Sequence, residues 1–213
     1  MSEPLIRCSA LPRIMRCPAS AAPSNVVSYS PEAAMGTLVH EAMSKPGEIG
    51  NIVTRAANAG LDGDEARFLI GAALDAEKKL IGAAGLEDVR REEPLEAVFG
   101  RVTLTGSPDV WGRLPANRAL VVDYKAGRVD RNYAHQLKGY AFEILANNPY
   151  IDEVVCQIAW LRTGNVDTFM VTRADAAAWW ADLLARLDAG GYTDDIEACG
   201  FCPHRFECGQ YAR

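Results

Sequence analysis

Hydrophobic residues recur at helical spacing in the first 84 residues of the chain. This pattern predicts a short helix that Ser9 caps and that ends near Cys17. A second helix is predicted to begin at Pro31, with Ser30 as its N-cap, and to end at the turn Lys45-Pro46-Gly47. A third is predicted over 62–84, with an apolar stripe formed by Phe68, Leu69, Ala72 and Leu80.

After residue 90 the pattern becomes strand-like and is interrupted by Gly, Pro and Asn. It predicts β segments over 90–100, 102–114 and 119–124, and then a helix over 133–146 that Asn132 caps. A hairpin over 153–161 and 166–171 and a final helix over 175–187 follow, before a cysteine-rich tail. This order predicts an α/β fold with a central mixed sheet flanked by helices.

Length and composition indicate an ordinary globular protein. The 213 residues suffice for a single domain over 1–213, and 49% of them are hydrophobic. The chain has no run of about 18 apolar residues and no signal-peptide core, so we expect a cytoplasmic protein without a membrane partner. A net charge of −6 argues against a protein that coats nucleic acid by bulk charge. A local basic groove is still conceivable, although ordinary solvated side chains explain the same residues: Arg113, Arg118, Lys125, Arg128, Arg131 and Lys138.

Two carboxylates and a lysine form the strongest candidate for chemistry. The segment GSPDVW contains Asp109, and the segment ALVVDYKAG contains Asp123 and Lys125. Strand alternation places Asp123 and Lys125 on one face, and a hairpin from Trp111 to Ala119 would bring Asp109 beside Asp123. Two such carboxylates repel unless a cation lies between them, and a hard divalent ion fits that role. A surface hairpin with two unrelated aspartates is the simpler alternative, because Asp-x-Lys triplets are common.

These two segments resemble the signature of PD-(D/E)xK nucleases. Two further elements resemble the RecB-like branch of that superfamily. His40 ends the G-x-x-x-H element that begins at Gly36, and Gln136 and Tyr140 form a Gln-x-x-x-Tyr pair on one helix face. Each element is weak alone, but their order along the chain agrees with that branch.

The resemblance implies a restriction-endonuclease-like core and a magnesium- or manganese-dependent deoxyribonuclease. His40, Asp109, Asp123 and the carbonyl of Tyr124 would then bind the metal, and Lys125 would be catalytic. The remaining pair would contact DNA or brace the site: Gln136 and Tyr140. Three further carboxylates would join a second metal or, as the simpler alternative, be solvated or paired: Glu41, Glu92 and Glu93.

The tail carries three cysteines at C-x2-C-x5-C spacing: Cys199, Cys202 and Cys208. Clustered cysteines in a reducing compartment indicate metal binding or catalysis rather than disulfides. A closed four-ligand site needs one more ligand, and spacing alone leaves His204 and Cys17 open. Cys156 lies in an apolar strand and is expected to be a small core residue.

A subset of RecB-like nucleases, which includes AddB-type proteins and CRISPR-adaptation exonucleases, has one N-terminal cysteine and this C-terminal spacing. That resemblance implies a 4Fe–4S cluster held by Cys17 and the three tail cysteines, with structural zinc as the alternative. Cys8 competes with Cys17 as the fourth ligand. The cluster would lie in a small helical lobe formed by both termini, from about 8–30 and 190–213.

The functional expectation is a stand-alone nuclease that hydrolyses DNA phosphodiesters through a metal-activated water. By analogy with the family, it would be an exonuclease acting on single-stranded ends. Proteins of CRISPR adaptation or phage recombination are the expected partners, and the family allows an oligomer. Two alternatives are a catalytically silent DNA-binding or recombination-accessory protein with the same fold and a zinc-clasped interaction module without a nuclease fold. The sequence does not indicate cleavage polarity or choose between exonuclease and endonuclease modes.

Overall fold

A computed structural model describes residues 5–22, 31–127, 133–193, 199, 202–205 and 208. Within these ranges, eight strands form two mixed sheets, one of three strands and one of five. The strands are β1 (Leu5–Arg7), β2 (Glu87–Arg91), β3 (Leu95–Phe99), β4 (Val102–Gly106), β5 (Val110–Leu114), β6 (Arg118–Lys125), β7 (Glu153–Trp160) and β8 (Asn165–Thr172).

Helices account for most of the remaining described residues. They are α1 (Leu11–Arg16), α2 (Pro31–Ser44), α3 (Ile49–Asn58), α4 (Gly63–Ala84), α5 (Tyr133–Asn147) and α6 (Arg173–Ala189), with short 3-10 helices at Cys8–Ala10, Pro18–Ala21 and Pro46–Glu48. Side chains cap α4 and α6: Asp62 accepts from two backbone amides at the start of α4, and Thr172 and Asp175 form a capping box at α6. Among the described residues, no helix has the length and apolarity to cross a bilayer.

The larger sheet has the strand order β2-β5-β6-β7-β8, and the smaller one has the order β1-β4-β3. In the larger sheet, β5 and β6 form an antiparallel hairpin, whereas β6 and β7 are parallel and are joined through α5. The smaller sheet is also mixed, because β1 runs parallel to β4 and β3 runs antiparallel to it. The predicted α/β fold with mixed β-structure flanked by helices is therefore confirmed, with two sheets instead of one.

Two apolar cores lie on opposite faces of the larger sheet. The first contains residues of α1, α5, α6 and the smaller sheet, and the second contains residues of α2, α3 and α4. Strand β6 contributes to both because its side chains alternate: Val121 lies in the first core, whereas Leu120 and Val122 lie in the second. The central strand is thus buried on both faces, as expected where helices cover a sheet on both sides.

Several predicted elements differ from the structure. The β segments predicted over 90–100 and 102–114 are each divided between the two sheets. Pro94 and Pro108 lie at these divisions, and proline cannot donate to a strand ladder. The prediction missed β1 and α3, and Phe68 is not in an apolar contact stripe because it is 57% exposed.

Three predicted caps have different outcomes. Ser9 lies inside the first 3-10 helix, and Ala10, without a side-chain hydrogen bond, is the N-cap of α1. Ser30 and Asn132 lie outside the described residues, so their predicted roles stay predictions. The same is true of Arg128 and Arg131 of the basic segment.

Candidate active site

The β5–β6 hairpin brings two carboxylates together. Val110 pairs with Val122 across the hairpin, so Asp109, just before β5, lies opposite Asp123. Both carboxylates are buried, with exposed fractions of 7% for Asp109 and 1% for Asp123. The predicted juxtaposition of the two aspartates is therefore confirmed.

The hairpin backbone and α2 hold Asp109 in place. Its Oδ2 atom accepts a hydrogen bond of 2.6 Å from the backbone amide of Tyr124. Its Oδ1 atom lies 2.7 Å from Nδ1 of His40 in the last turns of α2. The amide of Tyr124 thus orients Asp109, while a metal-binding role for the Tyr124 carbonyl stays a prediction.

Glu92 completes a compact group with His40 and Asp109. Its Oε1 atom lies 3.4 Å from Nδ1 of His40, and one ligand atom from each of the three residues lies within 4.8 Å of the other two. Among the residues that the structure describes, no other set of three histidine, cysteine or acidic side chains is so close. Two carboxylate oxygens and one imidazole nitrogen form a donor set that suits Mn²⁺ or Mg²⁺.

The same carboxylates control the protonation of His40. Burial alone would lower the pKa of His40, but its hydrogen bonds to Asp109 and Glu92 outweigh burial and raise the pKa to about 10. A positive charge between Asp109 and Glu92 is therefore strongly favoured. A bound divalent cation would satisfy the same two carboxylates, so these residues fit a metal site.

Asp123 belongs to a second network, centred on Lys125. The Nζ atom of Lys125 lies 2.7 Å from Oδ2 of Asp123 and donates to Oε1 of Gln136 at 3.0 Å. Gln136 in turn donates to Oδ1 of Asp123 at 3.2 Å and to the hydroxyl of Tyr140 at 2.8 Å. Tyr140 donates to the carbonyl of Ser107 at 3.3 Å. Asp123 thus lies beside the group of three potential ligands rather than within it.

Burial and charge act in opposite directions on this pair. Burial raises the pKa of Asp123 to about 6, although Lys125 opposes this increase. Burial would lower the pKa of Lys125, but the charge of Asp123 outweighs it and raises that pKa. Lys125 is therefore a fixed ammonium group, which can stabilise negative charge developing nearby.

Tyr133 contributes to the site, and the sequence interpretation missed it. Its ring lies 4.6 Å from Nζ of Lys125 and packs against Trp160 with a centroid separation of 5.9 Å. Tyr133 is the first residue of α5 and lies three residues before Gln136. That spacing places both on one helix face and was the signal available in the sequence.

The candidate residues line one cleft of about 710 Å³. The sequence-predicted residues in its wall are His40, Asp109, Asp123, Lys125, Gln136 and Tyr140. Glu92 and Tyr133 lie beside them, and the cleft continues to the smaller sheet at Arg7, Thr105 and Glu96. All six predicted side chains thus converge on one cleft.

The other charged residues singled out in the sequence lie elsewhere. Glu41 pairs with Arg55 at 2.7 Å, and Glu93 pairs with Arg90 at 3.0 Å, in agreement with the simpler alternative for both. Arg113 pairs with Asp88 at 2.6 Å on the hairpin and does not line the cleft. Among the described residues, the predicted basic segment therefore does not form a continuous groove at the site.

The cysteines do not form a metal cluster in this structure. All six are free thiols, and Cys8 and Cys156 are buried in the first core. No three ligand atoms that include Cys17 or the three tail cysteines, all of them described, lie within 4.8 Å of one another. Thiolates around one zinc ion lie within about 4 Å of one another, so the alternative of a formed zinc site is wrong for this geometry. The expected 4Fe–4S cluster is not supported either.

The two ends of the chain nevertheless contact each other. Nε2 of His204 lies 2.8 Å from the carbonyl of Ala22, and the amide of Ala19 donates to the carbonyl of Gly191 at 3.0 Å. Burial lowers the pKa of Arg13, and the charges of Cys202 and Cys17 act in the opposite direction. The tail thus packs on the N-terminal segment without gathering its thiols.

One family model and one solved structure agree with this architecture. The family model of the PD-(D/E)XK nuclease superfamily matches residues 8–209. A solved structure of a candidate exonuclease from Eubacterium rectale is similar, with a TM-score of 0.57 and 11% identity over 88% of this chain and 80% of that one. The crystal structure of SSO0001 aligns over 99% of this chain and 88% of that one, with a TM-score of 0.47 and 15% identity. No curated protein matches the sequence. The family match spans nearly the whole chain and excludes an interaction module without a nuclease fold, so this chain belongs to the PD-(D/E)XK nuclease superfamily.

Proposed function

We propose that the protein is a Mg²⁺- or Mn²⁺-dependent deoxyribonuclease that hydrolyses phosphodiester bonds. One observation carries this proposal. The potential metal ligands of His40, Glu92 and Asp109 lie within 4.8 Å of one another, in the same cleft as the buried Asp123–Lys125 pair. A metal site beside a fixed ammonium group can promote phosphodiester hydrolysis, because both place positive charge where the phosphate becomes more negative.

The residues have separate tasks in this mechanism. His40, Glu92 and Asp109 would hold the ion, and the amide of Tyr124 keeps Asp109 oriented. When bound, the ion would polarise the phosphodiester and lower the pKa of a water molecule. Lys125 would stabilise negative charge on the phosphate, because Asp123 and Gln136 fix its ammonium group. Gln136 and Tyr140 brace this pair from α5.

The substrate that we propose is a DNA strand with a free single-stranded end. A cleft of about 710 Å³ lies within the range of pockets that hold small ligands, so it suits one or two nucleotides better than a duplex. Exonuclease action on such an end agrees with this size. A cytoplasmic location belongs to the same proposal. Partners from DNA recombination or CRISPR adaptation also belong to it and rest on family resemblance.

We also propose a structural 4Fe–4S cluster, held by four cysteines: Cys17, Cys199, Cys202 and Cys208. Its support is the resemblance and the contact between the two chain ends, because the thiols themselves are not gathered. The thiolates of an iron–sulfur cluster bind different iron atoms and therefore stand farther apart than those of one zinc ion. Iron and sulfide assays on anaerobically purified protein test this part. Cys156→Ser is the control variant and should keep the iron content of wild type, because Cys156 is not a proposed ligand of the cluster. Protein without iron would refute the proposed cluster.

The nuclease proposal is tested with labelled linear single-stranded and duplex DNA in Mn²⁺, Mg²⁺ or EDTA. We expect the wild-type protein to cut with a divalent ion and not in EDTA. Asp109→Ala and Lys125→Ala should each reduce the rate by at least about 100-fold, because the first removes a ligand of the ion and the second removes the ammonium group beside the phosphate. Asp64→Ala is the matched control, since Asp64 is 93% exposed on α4.

Two outcomes would overturn the proposal. Equal rates in wild type, Asp109→Ala and Lys125→Ala would show that the activity arises elsewhere. Binding of DNA without cleavage in any divalent ion would instead favour a catalytically silent DNA-binding or recombination-accessory protein with the same fold.

A further inference from the structure

The smaller sheet has one face on the core and one open face. Ile6, Leu104 and Ala97, one from each strand, have exposed fractions of 3%, 0% and 6% and belong to the first core. Strand side chains alternate, so their neighbours project from the opposite face. That open face carries Leu5, Arg7, Thr103, Thr105, Glu96 and Val98.

The open face is ordered as two rows across the strands. Arg7 and Glu96 both pair with Thr105, so the first row runs across β1, β4 and β3. These three residues line the active-site cleft. The second row has the same register, with Leu5 and Val98 on either side of Thr103, and it lies about 7 Å farther from the site.

The second row is apolar and accessible. Leu5 is 61% exposed and Val98 is 59% exposed, although both stand on a regular sheet. In the first row, Arg7 is exposed and lines the cleft. The face thus presents a cation at the cleft and apolar side chains beyond it.

We infer that this open face is the docking surface for the substrate strand on one side of the scissile phosphate. Arg7 would bind a backbone phosphate, and Leu5 and Val98 would contact unstacked bases. The inference rests on the proposed function and extends it, because the surface is continuous with the cleft that holds the site. A single strand fits this surface, since a duplex keeps its base faces inside its own stack.

Glu96 places a negative charge at one side of the surface, and its effect on DNA binding can be tested. It ends the first row on β3, two strands away from Arg7 on β1. Its carboxylate repels phosphate, so the backbone of the strand should lie on the Arg7 side. Removal of the Glu96 charge should therefore strengthen binding, opposite to removal of the Arg7 charge.

The test measures binding of a fluorescein-labelled oligothymidylate by anisotropy, in EDTA and at several salt concentrations. Arg7→Ala should weaken binding. It should also make the negative slope of the logarithm of the association constant against the logarithm of salt concentration shallower by about 0.7, the value for one lost phosphate contact on a single strand. Leu5→Ser with Val98→Ser should weaken binding by about threefold or more without a change in slope. Glu96→Gln should strengthen binding.

Arg118→Ala is the matched control. Arg118 is exposed and begins β6, five residues before Asp123, so it lies at the opposite end of that strand. Wild-type affinity and slope in all three surface variants would overturn the inference even if the wild-type enzyme cuts DNA. Weaker binding by Arg7→Ala, with no cleavage by wild-type protein in any divalent ion, would leave the docking surface standing and refute the nuclease proposal. Thermal melts confirm that each variant is folded.

Discussion

Glu92 and Glu93 are adjacent carboxylates with different surroundings. Oε1 of Glu92 lies 3.4 Å from Nδ1 of His40, whereas Glu93 accepts hydrogen bonds of 3.0 Å from both Arg90 and Trp111. If Glu92 is a metal ligand, Glu92→Gln should weaken Mn²⁺ binding by at least about tenfold. Loss of a residue that only supports a ligand already weakens metal binding by about that factor, and loss of a direct ligand should cost no less. Glu93→Gln should stay within about twofold of wild type. Electron paramagnetic resonance titration of Mn²⁺ without DNA measures both, and equal losses would contradict the assignment.

Glu143 is a buried carboxyl group outside the candidate active site. It is 0% exposed and accepts a hydrogen bond of 3.3 Å from the thiol of Cys8. Burial raises the pKa of Glu143 to about 8, and the charge of Glu96 acts in the same direction. Because the folded-state pKa lies above the unfolded one, the associated stability is complete below about pH 4.5 and is lost as pH rises through about 8.

We therefore expect the free energy of unfolding of wild type to fall, relative to Glu143→Gln, as pH rises from 5 to 8. The change is at most roughly 1.4 kcal/mol per pH unit. Urea unfolding at four pH values measures it, with Glu48→Gln as a control for an exposed glutamate on a 3-10 helix. Parallel curves for wild type and Glu143→Gln would show that Glu143 does not titrate in this range.

The sequence predicted the site where spacing determines geometry. Asp123 and Lys125 share a face because strands alternate, and Gln136 and Tyr140 share one because helices repeat. Glu92 could not be assigned in the same way. It lies between β2 and β3 with a φ of 49°, and its amide donates to the carbonyl of Asp109, so its position depends on a turn that no periodic pattern encodes.

Helix α5 packs closely on the N-terminal segment, and this contact depends on a glycine. A Cβ atom at Gly139 would lie 2.5 Å from Cδ1 of Leu11 and 2.8 Å from the sulfur of Cys8. We expect Gly139→Ala to destabilise the protein by about 1–3 kcal/mol, because the buried neighbours must move. Urea unfolding measures the loss.

Gly71 on α4 is the matched control. Nothing lies within 4 Å of a Cβ atom built at Gly71, so Gly71→Ala should stabilise the protein by up to about 1 kcal/mol through helix propensity. Destabilisation by both substitutions to the same extent would show that the α5 contact is not specifically tight.

Long elements were predicted and short ones were not. The patterns of α4, α5 and α6 extend over several turns, so each was recognised as a helix. Strand β1 has three residues, too few for alternation to be visible, and it exists because β4 provides its partner. The passage from β4 to β5 was missed because the segments on both sides of Pro108 have strand-like patterns, and only tertiary structure places them in different sheets.

At the scale of the whole molecule, the two cores share their central strands. Val110 and Trp111 of β5 lie in different cores, as do Ala159 and Trp160 of β7. Loss of either core would therefore expose one complete face of the same strands. Two apolar layers that share a sheet in this way should unfold together rather than independently.

The distribution of tryptophan allows this cooperativity to be measured. All four tryptophans of the chain lie in the first core, at positions 111, 160, 179 and 180. Their fluorescence follows that core alone, whereas circular dichroism at 222 nm also follows α2, α3 and α4 of the second core. We expect the two probes to give coincident urea transitions, because among the described strands only those of the larger sheet pack on the helices of the second core. A dichroism transition at lower urea than the fluorescence transition would show instead that α2, α3 and α4 detach first. His40 would then leave the candidate metal site before the hairpin that carries Asp109 and Asp123 unfolds.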